Sequence, residues 1–181
     1  MPKKIIFITG GVRSGKSQFA LQIGQEYPRP KAYLATAQAL DEEMAQRIKR
    51  HKESRSWEWE TIEEPRQIVK TIKERGDEFS LILIDCLTLW ISNLLLAGWG
   101  AEKILNETDD LLKACGQTEC SFIIVSNEVG WGIVPDNEMA RFFRDITGMV
   151  HQKMAQEADE VFLMVCGLPH RLKGPDKLSV G

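Results

Sequence analysis

Five near-continuous apolar runs punctuate the chain, and stretches of helical length separate them. The runs are Ile5-Ile6-Phe7-Ile8-Thr9, Ala32-Tyr33-Leu34-Ala35, Leu81-Ile82-Leu83-Ile84, Phe122-Ile123-Ile124-Val125 and Val161-Phe162-Leu163-Met164-Val165. A strand buried on both faces has no polar side to alternate with, so it reads as an unbroken hydrophobic run. Helices are expected at about 16–26, 41–54, 65–75, 87–97 and 101–115, and from Asp136 or Asn137 to about 157. Asp41 is the expected N-cap of the second, whose first turn is acidic. Trp57-Glu58-Trp59-Glu60-Thr61-Ile62 alternates and reads as a short extended piece. Beyond Gly167 the chain carries Pro169, Gly174 and Pro175, and an irregular tail is expected. Alternating strands and helices predict one α/β domain over residues 1–181: a mostly parallel sheet with helices on both faces.

Such sheets bind ligands at the carboxyl ends of their strands. The polar residues there are Thr9-Gly10, Thr36, Asp85 and Ser126-Asn127-Glu128, which should gather at one edge. The first strand runs straight into Gly10-Gly11-Val12-Arg13-Ser14-Gly15-Lys16-Ser17, a match to the phosphate-binding loop G-x-x-x-x-G-K-[ST]. A chance match in a chain this long is on the order of 1%, and this one sits where the mechanism needs it, between strand and helix. Glycines let the loop curl so that its N–H groups face phosphate oxygens. Lys16 supplies charge for the β and γ phosphates, Ser17 a hydroxyl for Mg2+, and the following helix its N-terminus. The chain is thus expected to be a P-loop nucleotide-binding protein.

Asp85 ends an apolar strand downstream of that loop, where such folds keep an acid for the magnesium ion. In the 41–54 helix, 100° steps put Leu40, Met44, Arg47, Ile48, His51 and Arg55 within about a third of the circumference. Glu42, Glu43, Gln46, Lys49, Arg50 and Glu53 take the other side. A stripe apolar at one end and rich in His and Arg at the other suits an anion such as a triphosphate. A solvated basic helix end is the plain alternative. Nearby cations would keep the His51 ring neutral, and a neutral imidazole is a nucleophile. The glycine-punctuated loop from Ser126 to Pro135 is either a substrate contact or a simple connection. His151 and His170 read as bystanders. The tryptophans, Trp57, Trp59, Trp90, Trp99 and Trp131, read as packing residues that could also line a large-ring pocket.

A net charge of −3 gives no electrostatic case for nucleic acid. Cys86, Cys115, Cys120 and Cys166 form no C-x-x-C and no zinc spacing, which points to a reduced, cytoplasmic compartment without a structural metal. The first strand begins too early for a signal peptide, and no apolar run reaches membrane-spanning length, so no membrane insertion is expected.

Taken in order, the phosphate loop is followed by Ala35-Thr36-Ala37, Arg47-Ile48-x-x-His51-Lys52-x-x-Arg55, Trp59-x-Thr61-x-Glu63 and Asp85-Cys86-Leu87-Thr88-Leu89-Trp90 with Asn93-Leu94-Leu95. The Asn127–Pro135 loop and Arg141-x-Phe143-Arg144-Asp145 complete the set. Over nearly the whole chain, to about residue 167, this resembles the bifunctional adenosylcobinamide kinase / adenosylcobinamide-phosphate guanylyltransferase family of cobalamin biosynthesis. The resemblance implies a RecA-like sheet in a homotrimer, with active sites near subunit contacts. It implies two reactions on corrinoid partners, with GTP or ATP and Mg2+. A nucleoside triphosphate phosphorylates the aminopropanol hydroxyl of adenosylcobinamide. Then GTP guanylylates a histidine, and GMP passes to adenosylcobinamide phosphate to give adenosylcobinamide-GDP. The guanylylated histidine maps onto His51. The nucleotide contacts map onto Gly10, Gly11, Val12, Arg13, Ser14, Gly15, Lys16 and Ser17, onto Ala35, Thr36 and Ala37, onto Lys52, Glu53, Ser54 and Arg55, and onto Glu63 and Asp85.

A histidine beside a triphosphate makes sense if the α-phosphorus is attacked and the nucleotidyl group held covalently. Lys16, Arg47 and Arg55 would then offset charge on departing pyrophosphate. No N/T-K-x-D guanine motif is present, so guanine is read otherwise or the kinase step tolerates ATP. The chain departs from the family pattern in having His151 where an asparagine is expected, and in a longer tail. Two other readings stay open: a phosphate-loop kinase of another small alcohol or nucleoside without a covalent intermediate, and a nucleotide switch that binds a protein partner.

Overall fold

The computed structural model describes residues 2–38, 42, 46 and 57–175. Its centre is a seven-stranded sheet in the order β3-β2-β4-β5-β1-β6-β7. The strands are β1 (Ile5–Gly10), β2 (Lys31–Ala35), β3 (Trp59–Glu63), β4 (Leu81–Asp85), β5 (Ser121–Val125), β6 (Glu160–Val165) and β7 (Leu168–Lys173). All pairs are parallel except β6 with β7. The helices are α1 (Lys16–Gly24), α2 (Ile68–Arg75), α3 (Leu87–Leu96), α4 (Ala101–Gln117) and α5 (Glu138–Glu157).

The pleat sends alternate residues of each run to opposite faces, and this divides the core in two. Phe7, Ile82, Ile84, Phe122 and Ile124 join a cluster with Ile72 of α2, Trp90 of α3, Leu111 of α4 and Val150 of α5. Ile6, Ile8, Leu81, Leu83, Ile123 and Val125 face the other way, onto Ala20 and Phe19 of α1. Helices therefore cover both faces, as the unbroken apolar runs require.

Local chemistry sets the element ends. Asn137 Oδ1 accepts the Ala140 N–H at 3.1 Å and caps α5. Glu64 Oε1 accepts the N–H groups of Arg66 and Gln67 at 2.9 and 2.8 Å, so α2 begins at Ile68 rather than at 65. The alternating 57–62 piece is the parallel edge strand β3. The 41–54 helix, with its Asp41 cap, lies outside the described residues except for Glu42 and Gln46, which are helical and exposed.

The tail differs from expectation. Leu168–Lys173 is a strand, paired antiparallel with β6. Cys166 and Gly167 have φ of 51° and 82°, the two left-handed residues of a tight two-residue hairpin whose twist suits its flanking strands. Pro169 is tolerated because β7 is the sheet's edge.

Candidate active site

Past the ladder, backbone bonds continue to tie the strand ends together. Ser126 N donates to Ile8 O at 2.9 Å, Glu128 N to Gly10 O at 2.9 Å, Thr36 N to Asp85 O at 3.2 Å and Glu64 N to Ala35 O at 3.0 Å. Thus Gly10, Ala35, Thr36, Asp85, Ser126 and Glu128 share the carboxyl edge of one sheet. Ala37 follows Thr36 there, half-buried, and Glu63 ends β3, exposed.

The phosphate loop occupies the middle of this edge. Gly10 has φ 147°, and a Cβ there would lie 2.5 Å from Met164 O. Gly15 has φ 95°, and its Cβ would meet Gly167 Cα at 3.2 Å. The β6–β7 hairpin is thus a wall of the loop, and Gly167 N donates to Ser14 O at 3.0 Å. Gly11, Val12 and Arg13 are exposed, Ser14 and Lys16 buried. Lys16 Nζ donates to Gly11 O at 2.5 Å, which holds the ammonium within the curl.

Beside it, Ser17 Oγ donates to Asp85 Oδ2 at 2.8 Å, and Tyr33 Oη donates to the same oxygen at 2.5 Å. A hydroxyl on α1 and a carboxylate on β4 are therefore brought together over the intervening β5. An all-oxygen pair next to a phosphate loop suits a hard cation such as Mg2+.

Next to Asp85, Thr36 Oγ1 accepts Cys86 N and donates to Cys86 O, each at 2.8 Å. Asn93 Nδ2 donates to Thr36 O at 2.8 Å. These bonds hold the ends of β2 and β4 in register. His51, Lys52, Glu53, Ser54 and Arg55, with Arg47, lie outside the described residues.

One residue read as a bystander is in contact with the site edge. His151 of α5 packs edge-on against Phe7, with centroids 5.4 Å apart. Its Nε2 lies 2.7 Å from Ser126 Oγ, and its Nδ1 lies 3.7 Å from Glu128 Oε2. Burial lowers its pKa below the usual imidazole value, against a weaker opposing pull from Glu128. Periodicity placed His151 on α5 but said nothing of what faces it; a polar residue on the same stripe as Thr147, Val150 and Met154 was the available signal.

Residues 6–172 match the family model described as cobinamide kinase / cobinamide phosphate guanyltransferase. The bifunctional adenosylcobalamin biosynthesis protein CobP of Pseudomonas aeruginosa is 41% identical over 167 residues, covering 92% of this chain and 96% of that protein. The bifunctional adenosylcobalamin biosynthesis protein CobU of Salmonella typhimurium is 40% identical over 181 residues, covering 93% and 99%. Among solved structures, the RadB recombinase superposes with a TM-score of 0.53 at 16% identity, covering 90% of this chain and 74% of that one. At that identity the likeness concerns the fold alone, which is the RecA-like arrangement of P-loop ATPases.

Proposed function

This chain belongs to the cobinamide kinase / cobinamide phosphate guanyltransferase family, and from that premise we propose how its strand-end residues divide two reactions. It is an adenosylcobinamide kinase and adenosylcobinamide-phosphate guanylyltransferase. The observation that carries the reading is the convergence of the phosphate loop with Asp85 at one sheet edge, in a chain matched to the family along nearly its whole length.

In the kinase reaction, the loop N–H groups, the start of α1 and Lys16 hold the triphosphate of GTP or ATP. The aminopropanol hydroxyl of adenosylcobinamide attacks the γ-phosphorus. Ser17 and Asp85 would hold Mg2+, which when bound neutralises charge on the phosphate oxygens. Lys16 meets charge that grows on the β–γ bridge, where fixed donors are worth most. Ala35, Thr36, Ala37, Glu63 and Lys52 to Arg55 contribute further nucleotide contacts.

In the second reaction His51 attacks the α-phosphorus of GTP. A P–N bond forms, pyrophosphate leaves, and the GMP held on His51 is taken by the phosphate of adenosylcobinamide phosphate. Arg47 and Arg55, four positions either side of His51 in the sequence, would offset charge on pyrophosphate. The protein works in the cytoplasm as a homotrimer over one domain, residues 1–181. Among the described residues no helix is long and apolar enough to cross a membrane.

Incubation with α-labelled GTP tests this. The protein should acquire label that acid removes and base does not, the behaviour of a phosphoramidate. His51→Ala should abolish the label and leave γ-phosphoryl transfer to adenosylcobinamide. Wild type that phosphorylates but never takes up α-label would leave only a small-alcohol kinase.

A further inference from the structure

Ser126, His151 and Glu128 stand in the order hydroxyl, imidazole, carboxylate, but burial excludes a hydrolase reading. Ser126 is 0% exposed, so no external carbonyl reaches its Oγ. The polar chain makes sense in the other direction. Asn127 N–H donates to Thr88 Oγ1 at 2.7 Å. The Thr88 and Ser126 hydroxyls lie 3.3 Å apart, and Ser126 Oγ lies 2.7 Å from His151 Nε2. The Asn127 N–H can only donate, whereas each hydroxyl can turn its hydrogen either way, Thr88 also toward Cys86 Sγ at 3.6 Å. The carboxylate facing Nδ1 selects the arrangement in which Ser126 donates to Nε2. The ring proton then sits on Nδ1, facing Glu128 Oε2 at 3.7 Å. A ring kept neutral by burial fits that tautomer.

Glu128 is the reachable end of this chain. Its side chain is 20% exposed. Its N–H is bonded to Gly10 O at the start of the phosphate loop, and its Oε1 accepts Gly130 N–H at 2.7 Å. An ionised carboxylate offers about four lone-pair directions, so two remain for an incoming group. Beyond it Trp131 and Ile133 are 74% and 96% exposed, an apolar approach suited to a bulky acceptor. The other carboxylate at this edge, Asp85, already takes the hydroxyls of Ser17 and Tyr33 on one oxygen.

We propose that Glu128 is the proton acceptor of the phosphoryl-transfer reaction and that His151 is a positioning residue aiming its carboxylate. This rests on the kinase half of the function above. The acceptor's hydroxyl oxygen forms a bond to the γ-phosphorus, and the bond from that phosphorus to the β–γ bridging oxygen breaks. The electron pair leaves with the nucleoside diphosphate. The hydroxyl proton passes to a Glu128 oxygen and from there to water.

The test reads the two reactions separately in the full-length protein: γ-label transferred to adenosylcobinamide, and α-label taken up by the protein. Wild-type turnover of adenosylcobinamide checks the underlying function, and the variants check the assignment. Glu128→Ala should lower kinase kcat by about 100-fold or more, with KM for both substrates little changed and α-labelling intact. Added formate should restore part of the lost rate. Glu128→Gln keeps an acceptor for Gly130 N–H, so it should fold normally and lose the same rate. His151→Ala should lower kcat roughly 10- to 100-fold by misaiming the base, and His151→Asn, whose amide still offers an N–H, should recover most of it. Kinase activity surviving in Glu128→Gln, loss of both reactions together in either Glu128 variant, or no response of Glu128→Ala to formate would each overturn the assignment.

Discussion

Ser17 Oγ and Asp85 Oδ2, 68 positions apart in the chain, are 2.8 Å apart at the carboxyl edge of the sheet. Tyr33 Oη donates to that same oxygen, so one carboxylate carries two hydroxyls. Asp85→Asn preserves the shape and can still accept a hydrogen bond, but it removes the charge. It should cut both phosphoryl transfer and α-labelling by on the order of 100-fold and raise the magnesium needed for half-maximal rate. Tyr33→Phe leaves the charge and the Ser17 bond, and should cost less than about tenfold. Steady-state rates across a magnesium titration distinguish the two; equal losses would mean that the charge of Asp85 is not what matters.

The phosphate loop is also a packing problem. Gly10 combines a φ of 147° with a virtual Cβ 2.5 Å from Met164 O, a backbone atom that cannot swing away. Gly10→Ala should therefore destabilise the protein by about 3 kcal/mol, from left-handed strain and overpacking together. Gly11 has no heavy atom within 4 Å of its virtual Cβ and no positive φ, so Gly11→Ala should shift stability by no more than about 0.5 kcal/mol. Denaturant titration of the two variants gives the contrast; comparable midpoints would show that β6 does not constrain the loop.

Much of this architecture was legible in the sequence for a physical reason. Each strand buried on both faces is an apolar run, and Gly10–Ser17 fixes which strand ends matter. Asp85 followed from that rule alone. Pairing between side chains far apart in the chain was not legible. Nothing in His151's neighbourhood in sequence announces Ser126, Glu128 and Phe7, because those contacts come from how α5 lies across β1 and β5. The β7 strand was hidden by its own punctuation: Pro169, Gly174 and Pro175 read as breakers, whereas Cys166-Gly167 closes a hairpin and Pro169 sits harmlessly at an edge.

The cysteines divide by burial. Cys86, Cys115 and Cys120 are buried and Cys166 is exposed on the hairpin beside the phosphate loop. Burial pushes the Cys86 thiol up to about 11 and Cys120 up to about 12, and raises Cys115 as well. Since the thiolate is the reactive form, an aromatic disulfide reagent at pH 8 should titrate one thiol promptly in the folded protein and all four after unfolding in guanidinium. Prompt reaction of Cys86, located by peptide mapping, would contradict the closed packing around Asp85.

The imidazole of His151 makes stability depend on pH in a direction that can be worked out. Its folded-state pKa is lowered from 6.5, mainly by burial, with Glu128 pulling weakly the other way. On acidification the unfolded chain takes up this proton first, so the unfolded state gains and the folded state loses. The stabilising contribution is intact above about pH 6.5 and is lost progressively as pH falls from there toward the lower folded value. His151→Asn carries no titrating group at this position but can still offer an N–H to Glu128. Its unfolding free energy should therefore fall less between pH 7.5 and pH 5.5 than that of wild type, as read from guanidinium midpoints at the two pH values. An identical fall in both proteins would mean that the ring protonates in place, and its Nε2–H would then have to donate to Ser126 Oγ.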